Sequence, residues 1–202
     1  RSTLFPYTTL FRSTNRFKIK RIIYSTYQAV SGSGYKGVRD LEEGMKGNPP
    51  TNYPHPIYNN CLPHIDDFLD NGYTKEEEKM INETRKILSK PELKVTATTV
   101  RVPVFNSHSV SINIEFEKSF EMSEIFDELS KVENLVIVDD VKNNKYPMPI
   151  DATGSDSVFV GRIRRDFSVD NGINLWTVAD NVRKGAAVGR SEERRVGKEC
   201  RS

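Results

Sequence analysis

The clearest alternation in the chain places Val110, Ile112, Ile114 and Phe116 at every second position, with Ser111, Asn113 and Glu115 between them. A period of two puts the four apolar side chains on one side of a pleated strand. Over Val95 to Val104 the residues Val95, Ala97, Thr99 and Arg101 share a face in the same way, and Pro103 marks the strand's end or an edge. The short break at Asn106-Ser107 predicts that these two strands form an antiparallel pair. Their alternation would leave an apolar sheet face exposed, which self-association would cover. Lys18 to Thr26 (KIKRIIYST) is a β-branched run that predicts another strand. Leu135 to Val138, Val158 to Ile163 and Asn174 to Ala179 predict three more.

Helix signals lie between these runs. Thr74-Lys75-Glu76-Glu77 has the spacing of a capping box, in which Thr74 caps the amide of Glu77 and Glu77 reaches back. The helix it opens runs toward Leu88, with Met80, Thr84, Ile87 and Leu88 at core-facing spacing, and Pro91 stops it. Ser123 is the predicted cap of a second helix carrying Ile125, Phe126, Leu129 and Val132. Ser31-Gly32-Ser33-Gly34 reads as a turn opening a helix toward Glu43, and Arg183 to Val188 as the start of another. Gly47 to Asn60, rich in Pro and Asn, is a loop. Strands with helices between them, and no Gly-rich phosphate loop after the first strand, predict an α+β fold, a mixed or antiparallel sheet layered by helices.

The two ends change the reading of charge. Back-translation of Arg1 to Ser13 (RSTLFPYTTLFRS) gives a DNA sequence whose reverse complement encodes RSEERRVGKECRS, the residues Arg190 to Ser202. Segments 1–13 and 190–202 are therefore expected to be sequencing-library adapter read in frame on opposite strands, with the native domain at 14–189. Without them the formal charge changes from +2 to −2, so the electrostatic case for a nucleic-acid partner disappears. Cys200 goes too, leaving Cys61, with no C-x-x-C pair to suggest a disulfide framework or a metal site. No apolar run approaches the roughly 18 residues of a membrane span. A cytoplasmic protein is the expectation, with no membrane partner.

Several segments, in order, resemble the aspartate-semialdehyde dehydrogenases. They are Ser25-Thr26-Tyr27-Gln28-Ala29-Val30-Ser31-Gly32, Pro63-His64-Ile65-Asp66 with Asp70-Asn71-Gly72-Tyr73-Thr74, and Lys79-Met80-Ile81-Asn82-Glu83-Thr84. Val100-Arg101-Val102-Pro103-Val104 leading to His108-Ser109, Phe159-Val160-Gly161-Arg162-Ile163-Arg164, and Asp180-Asn181 with Lys184-Gly185-Ala186-Ala187 complete the set. The resemblance covers essentially all of Thr14 to Gly189. It implies the family's C-terminal fold, the dimerisation-domain type shared with the C-terminal domain of glyceraldehyde-phosphate dehydrogenase. It also implies NADP, bound mainly by an N-terminal domain that these residues do not include, a small-molecule substrate, and a homodimer or tetramer built through this half.

The family's chemistry runs through a cysteine thioester that hydride from NADPH reduces. The resemblance makes His108 the acid/base residue, a task an imidazole suits because it titrates near neutrality. It makes Arg101 the grip on the substrate carboxylate, where a guanidinium offers a two-donor fork. Gln28 would orient the acyl group, Glu76 hold the substrate amine and Lys79 the phosphate, while Ser31, Gly32 and Asn181 would contact the cofactor. Taken alone, the same residues read as a surface histidine, an edge-strand arginine and a solvated ion pair in a charged run. With Glu77 and Glu78 adjoining, the glutamate assignment can slip by one. The Gly47 to Asn60 loop matches poorly, and the N-C-[ST] nucleophile segment is absent. Cys61 has no basic neighbour to activate it and reads as structural. The other functions considered are the related N-acetyl-γ-glutamyl-phosphate reductase and a non-catalytic dimerisation or binding module.

Overall fold

The computed structural model describes residues 15–183. Both end segments, the run Lys184-Gly185-Ala186-Ala187 and all but the first residue of the expected helix at Arg183 to Val188 lie outside them.

Six strands form one mixed sheet: β1 (Ile19–Gln28), β2 (Lys94–Arg101), β3 (His108–Phe116), β4 (Leu135–Ile137), β5 (Val158–Asp166) and β6 (Gly172–Ala179), in the spatial order β2-β1-β3-β6-β5-β4. The helices are α1 (Tyr35–Met45), α2 (Lys75–Ile87), α3 (Met122–Ser130) and the single turn α4 (Pro149–Ala152). This is the α+β architecture that the alternation and capping signals predict.

The predicted β2–β3 hairpin is not what forms. β2 pairs in parallel with β1, and β3 pairs with β1 on its other side, antiparallel. Alternation identifies the face of a strand but not its neighbour, and here the β-branched β1 takes the place between them. The chain after β2 therefore crosses the end of β1, and that crossing carries the Val102-to-Ser107 segment into the site described below. The edge of β2 is closed locally: Leu62 and Arg101 exchange backbone hydrogen bonds of 2.9 and 2.8 Å, and the Thr99 amide donates to Glu77 Oε1 at 2.9 Å.

The apolar face is covered within the chain. Ile22 and Tyr24 of β1, Val110, Ile112, Ile114 and Phe116 of β3, and Ile173 and Leu175 of β6 pack against Met80, Ile81 and Leu88 at α2 and Ile125 and Leu129 of α3. The expectation that this face needs a second copy to cover it is thus overturned, because two amphipathic helices already do so. The opposite face presents Ser111, Asn113 and Glu115, with the half-buried Trp176 against the exposed Tyr27 at a ring separation of 5.3 Å.

The helix starts follow their signals with one correction. Thr74 and Glu77 form the reciprocal capping box (Thr74 N–H to Glu77 Oε2, 2.9 Å; Glu77 N–H to Thr74 Oγ1, 3.3 Å). In α3 the cap is Glu121, paired reciprocally with Glu124, and Ser123 falls inside the first turn. Ile81 joins the buried face of α2, whereas Ile87 is only partly buried. Cys61, expected to be structural, is a free and exposed thiol in the loop rather than a packed one. No helix among the described residues is long and apolar enough to cross a membrane.

Candidate active site

The C-terminal ends of β1 and β2 and the start of β3 meet at one end of the sheet. Gln28 and Arg101 end their strands as register partners, and His108 opens β3 opposite Ala179 at the end of β6. Beyond Gln28 the chain turns through a short 3-10 segment, Val30–Ser33, before α1 begins. Its front is pinned by Val30 N–H to Val104 O (2.8 Å) and Ser31 N–H to Phe105 O (3.1 Å), both on the segment that crosses from β2 to β3.

Gly32 is the point on which two predicted site residues converge. A methyl group added there would sit 2.6 Å from Arg101 Nη1 and 3.1 and 3.2 Å from His108 Cε1 and Nε2. The absence of a side chain is what lets the arginine and the imidazole approach this backbone together.

His108 is 6% exposed, so the reading of a surface histidine does not hold. Its Nδ1 accepts the Ala29 N–H at 3.0 Å. Burial, and after it the positive charge of Arg101, push its pKa from 6.5 down to about 3. At neutral pH the ring is therefore uncharged, and with Nδ1 accepting, its proton sits on Nε2, the nitrogen facing Gly32.

Arg101 is 5% exposed despite lying on the edge strand, because its side chain points to the buried face. Nη1 donates to Ala29 O at 2.7 Å, while Nε is buried with no hydrogen-bond partner. Such an orphaned donor on a charged group is costly unless something accepts from it. Glu76 lies within its electrostatic reach.

The charged KEEEK run divides by role. Glu77 is consumed by the cap and by Thr99, and Glu78 accepts from Asn71 at 3.0 Å on the outer side. Glu76 alone of the three is tied to the strand ends: it accepts from Gln28 Nε2 at 3.4 Å and pairs with Lys79 at 3.2 Å. Gln28, Glu76 and Lys79 thus form one line.

Ser31 and Asn181 share a side-chain hydrogen bond at 3.0 Å, and Asn181 Oδ1 also takes the Ser107 N–H at 2.9 Å. Asp180 holds this corner by accepting from the Gly154, Val182 and Arg183 amides at 2.7, 2.8 and 3.0 Å. Ser107 is a participant that the sequence reading missed. It is buried, has φ of 72°, and its hydroxyl bonds Thr153 Oγ1 at 3.0 Å. A serine in a loop carries no signal that would have singled it out.

All eight predicted residues thus collect around the ends of β1 and β2, in two groups: Arg101 and His108 on Gly32 with Ser31 and Asn181 next to it, and Gln28, Glu76 and Lys79 along α2. Chemically, the site offers a neutral imidazole donor, a guanidinium with an unused donor, a carboxylate–ammonium pair and a bare backbone.

Residues 12–184 match the family described as semialdehyde dehydrogenase, dimerisation domain. The chain is 50% identical over 176 residues to an aspartate-semialdehyde dehydrogenase of Aquifex aeolicus, covering 84% of this chain and 52% of that protein. It is 45% identical over 179 residues to the Campylobacter jejuni protein of the same name, covering 85% and 52%. Among solved structures it is similar to aspartate semialdehyde dehydrogenase II of Vibrio cholerae complexed with ASA, with TM-score 0.84 and 39% identity, covering 91% of this chain and 56% of that one. The chain spans about half the length of the curated relatives it matches. With this fold, and with a family match running through all the described residues, the chain belongs to the semialdehyde dehydrogenase dimerisation-domain family.

Proposed function

We propose that this chain is the substrate-binding and dimerisation half of an NADP-dependent aspartate-semialdehyde dehydrogenase of the cytoplasm. Thr14 to Gly189 is the native domain, and the thirteen residues at each end come from library adapter. In the biosynthetic direction the reaction converts aspartyl 4-phosphate and NADPH to aspartate 4-semialdehyde and phosphate, through a thioester on a cysteine that these 202 residues do not supply. The observation that carries the reading is the convergence of Arg101 and His108 on the bare backbone of Gly32.

Each role has a physical basis. Arg101 receives the substrate carboxylate, which gives the orphaned Nε an acceptor and completes a two-point fork. The Glu76–Lys79 pair is divided by a substrate bearing both charges, the ammonium going to Glu76 and the phosphate to Lys79. Gln28, held by Glu76, orients the acyl group. His108 donates from Nε2 to an oxygen of the reacting group; taking a proton from a thiol at Nε2 requires the ring first to release the Ala29 amide from Nδ1. A carboxylate on Arg101 also offsets the charge that depresses the imidazole, raising its basicity when substrate is bound.

Ser31 and Asn181 offer polar side-chain atoms for one side of a nicotinamide ring, with Gly32 the backbone contact next to them. NADP supplies or accepts the hydride, and most of its binding belongs to the other half of the enzyme. The sheet face carrying Tyr27, Ser111, Asn113 and Trp176 is the surface for a second copy, in keeping with the dimerisation domain to which the chain belongs.

The test is to join Thr14 to Gly189 to the nucleotide-binding half of a relative that retains the nucleophile. The joined protein should form NADPH from aspartate semialdehyde, phosphate and NADP, and the 202-residue chain alone should not. A folded but inert fusion, or NADPH production by the chain alone, would contradict the reading.

A further inference from the structure

Asp40 lies on the buried stripe of α1 with Gly37 and Leu41, and is 2% exposed. A carboxylate in such a position must have its oxygens satisfied. Four donors do so, all from the Pro-flanked segment Thr51-Asn52-Tyr53. Oδ1 accepts from Thr51 N (2.8 Å) and Thr51 Oγ1 (2.9 Å), and Oδ2 accepts from Asn52 N and Tyr53 N (both 2.8 Å). Burial pushes its pKa up, and these bonds more than offset it, so the group lies below the usual carboxylate range.

That clamp aims Tyr53. Its hydroxyl donates to Ser33 Oγ at 3.0 Å. It also presses on α1, where a methyl group on Gly37 would meet the Tyr53 hydroxyl and Val30 O at 2.5 Å and Ser33 Cβ at 2.8 Å. Helix, turn and phenol therefore meet with no slack at Gly37. The Val30–Ser33 turn is pinned at its front by Val104 and Phe105, and at its back by Tyr53 on Ser33. Gly32 lies between the two anchors, in contact range of Arg101 and His108.

We infer that Asp40 is a positioning residue for the candidate active site: through Tyr53 and Ser33 it fixes the back of the turn whose Gly32 abuts Arg101 and His108. It touches neither reacting group, and its importance to catalysis rests on the functional reading above. The chemistry explains why a carboxylate is needed. An asparagine would offer one oxygen and turn an N–H₂ toward amides that are themselves donors.

The test reads the imidazole rather than activity, so its outcome is separate from that of the proposed function. The chain has three histidines, and long-range nitrogen-15 imidazole spectra of the 202-residue protein give one ring pattern for each, His108 being assigned with His108→Gln. In the wild type, His108 should show one tautomer, protonated at Nε2, with a protected Ala29 amide. Asp40→Asn should average the tautomers and speed exchange of the Ala29 amide by roughly tenfold, the consequence of losing charged hydrogen bonds. Tyr53→Phe removes only the hydroxyl that reaches Ser33 and should produce the same ring change, which keeps the test decisive if Asp40→Asn fails to fold. Loosened amides at Thr51 to Tyr53 with an unaltered His108 would overturn the inference. So would a ring change in Asp40→Asn that Tyr53→Phe does not share.

Discussion

Acidification from pH 7 to pH 5 should destabilise the folded chain through His108. The unfolded imidazole titrates near 6.5, whereas in the fold its pKa is about 3, lowered by burial and then by Arg101. Between these values the unfolded state binds a proton that the folded state refuses, so stability falls as pH falls through 6.5 and goes on falling toward 3. Over the two units from pH 7 to pH 5 the linkage amounts to about 2 kcal/mol, which with a urea slope of roughly 1–3 kcal/mol/M is a midpoint drop of about 1 M. Asp40 adds little in this window, because a depressed carboxylate loses its contribution only below the ordinary carboxylate range. The assay is urea unfolding at both pH values for the wild type and His108→Gln. The substitution removes the Ala29 bond and lowers stability at both, so the informative quantity is the difference between the two drops. The wild type should lose about 2 kcal/mol more than the variant on acidification. Equal losses would mean that His108 titrates in the fold as it does in the unfolded chain, and the depression of its pKa to about 3 would be wrong.

Three further outcomes are expected. In the joined enzyme, Arg101→Lys should raise KM for aspartate semialdehyde by roughly tenfold or more with a smaller change in kcat, since a point charge replaces the fork; an unchanged KM in steady-state assays would refute the carboxylate role. Glu77→Gln should lower stability by about 1–3 kcal/mol in urea unfolding, because its carboxylate serves both the Thr74 cap and the Thr99 amide at the sheet edge. Thr14 to Gly189 should self-associate in light scattering, and Tyr27→Lys or Trp176→Lys should weaken that association; a wild-type monomer at high concentration would count against the sheet-face interface.

The parts of the fold that were legible are those fixed by neighbours in the chain. The β-branched run of β1 and the Thr74–Glu77 box are local, and each formed where it was expected. The pairing of β2 was not legible, because alternation in Val95 to Arg101 and in Val110 to Phe116 is the same whether the strands touch or flank β1. The α3 start was misplaced for a different reason: Ser123 is the better cap by residue type, but Glu121 and Glu124 satisfy two amides reciprocally. In the site, the quoted motifs supplied residues whose convergence the fold then displays. Asp40 and Tyr53 escaped notice because their roles depend on a loop that returns to α1. A carboxylate on the apolar stripe with Gly37 and Leu41 is nonetheless a signal that a helical projection contains.

The most direct measurement is turnover by the joined enzyme carrying His108→Ala in one variant and Cys61→Ser in another. Cys61 is exposed in a loop and should be dispensable, so its replacement should leave the rate nearly unchanged. Loss of the imidazole at Gly32 should lower kcat by roughly 10²–10⁴-fold, the usual range for a general acid–base group. Tolerance of His108→Ala together with abolition of activity by Cys61→Ser would contradict the assignment and make Cys61 the nucleophile.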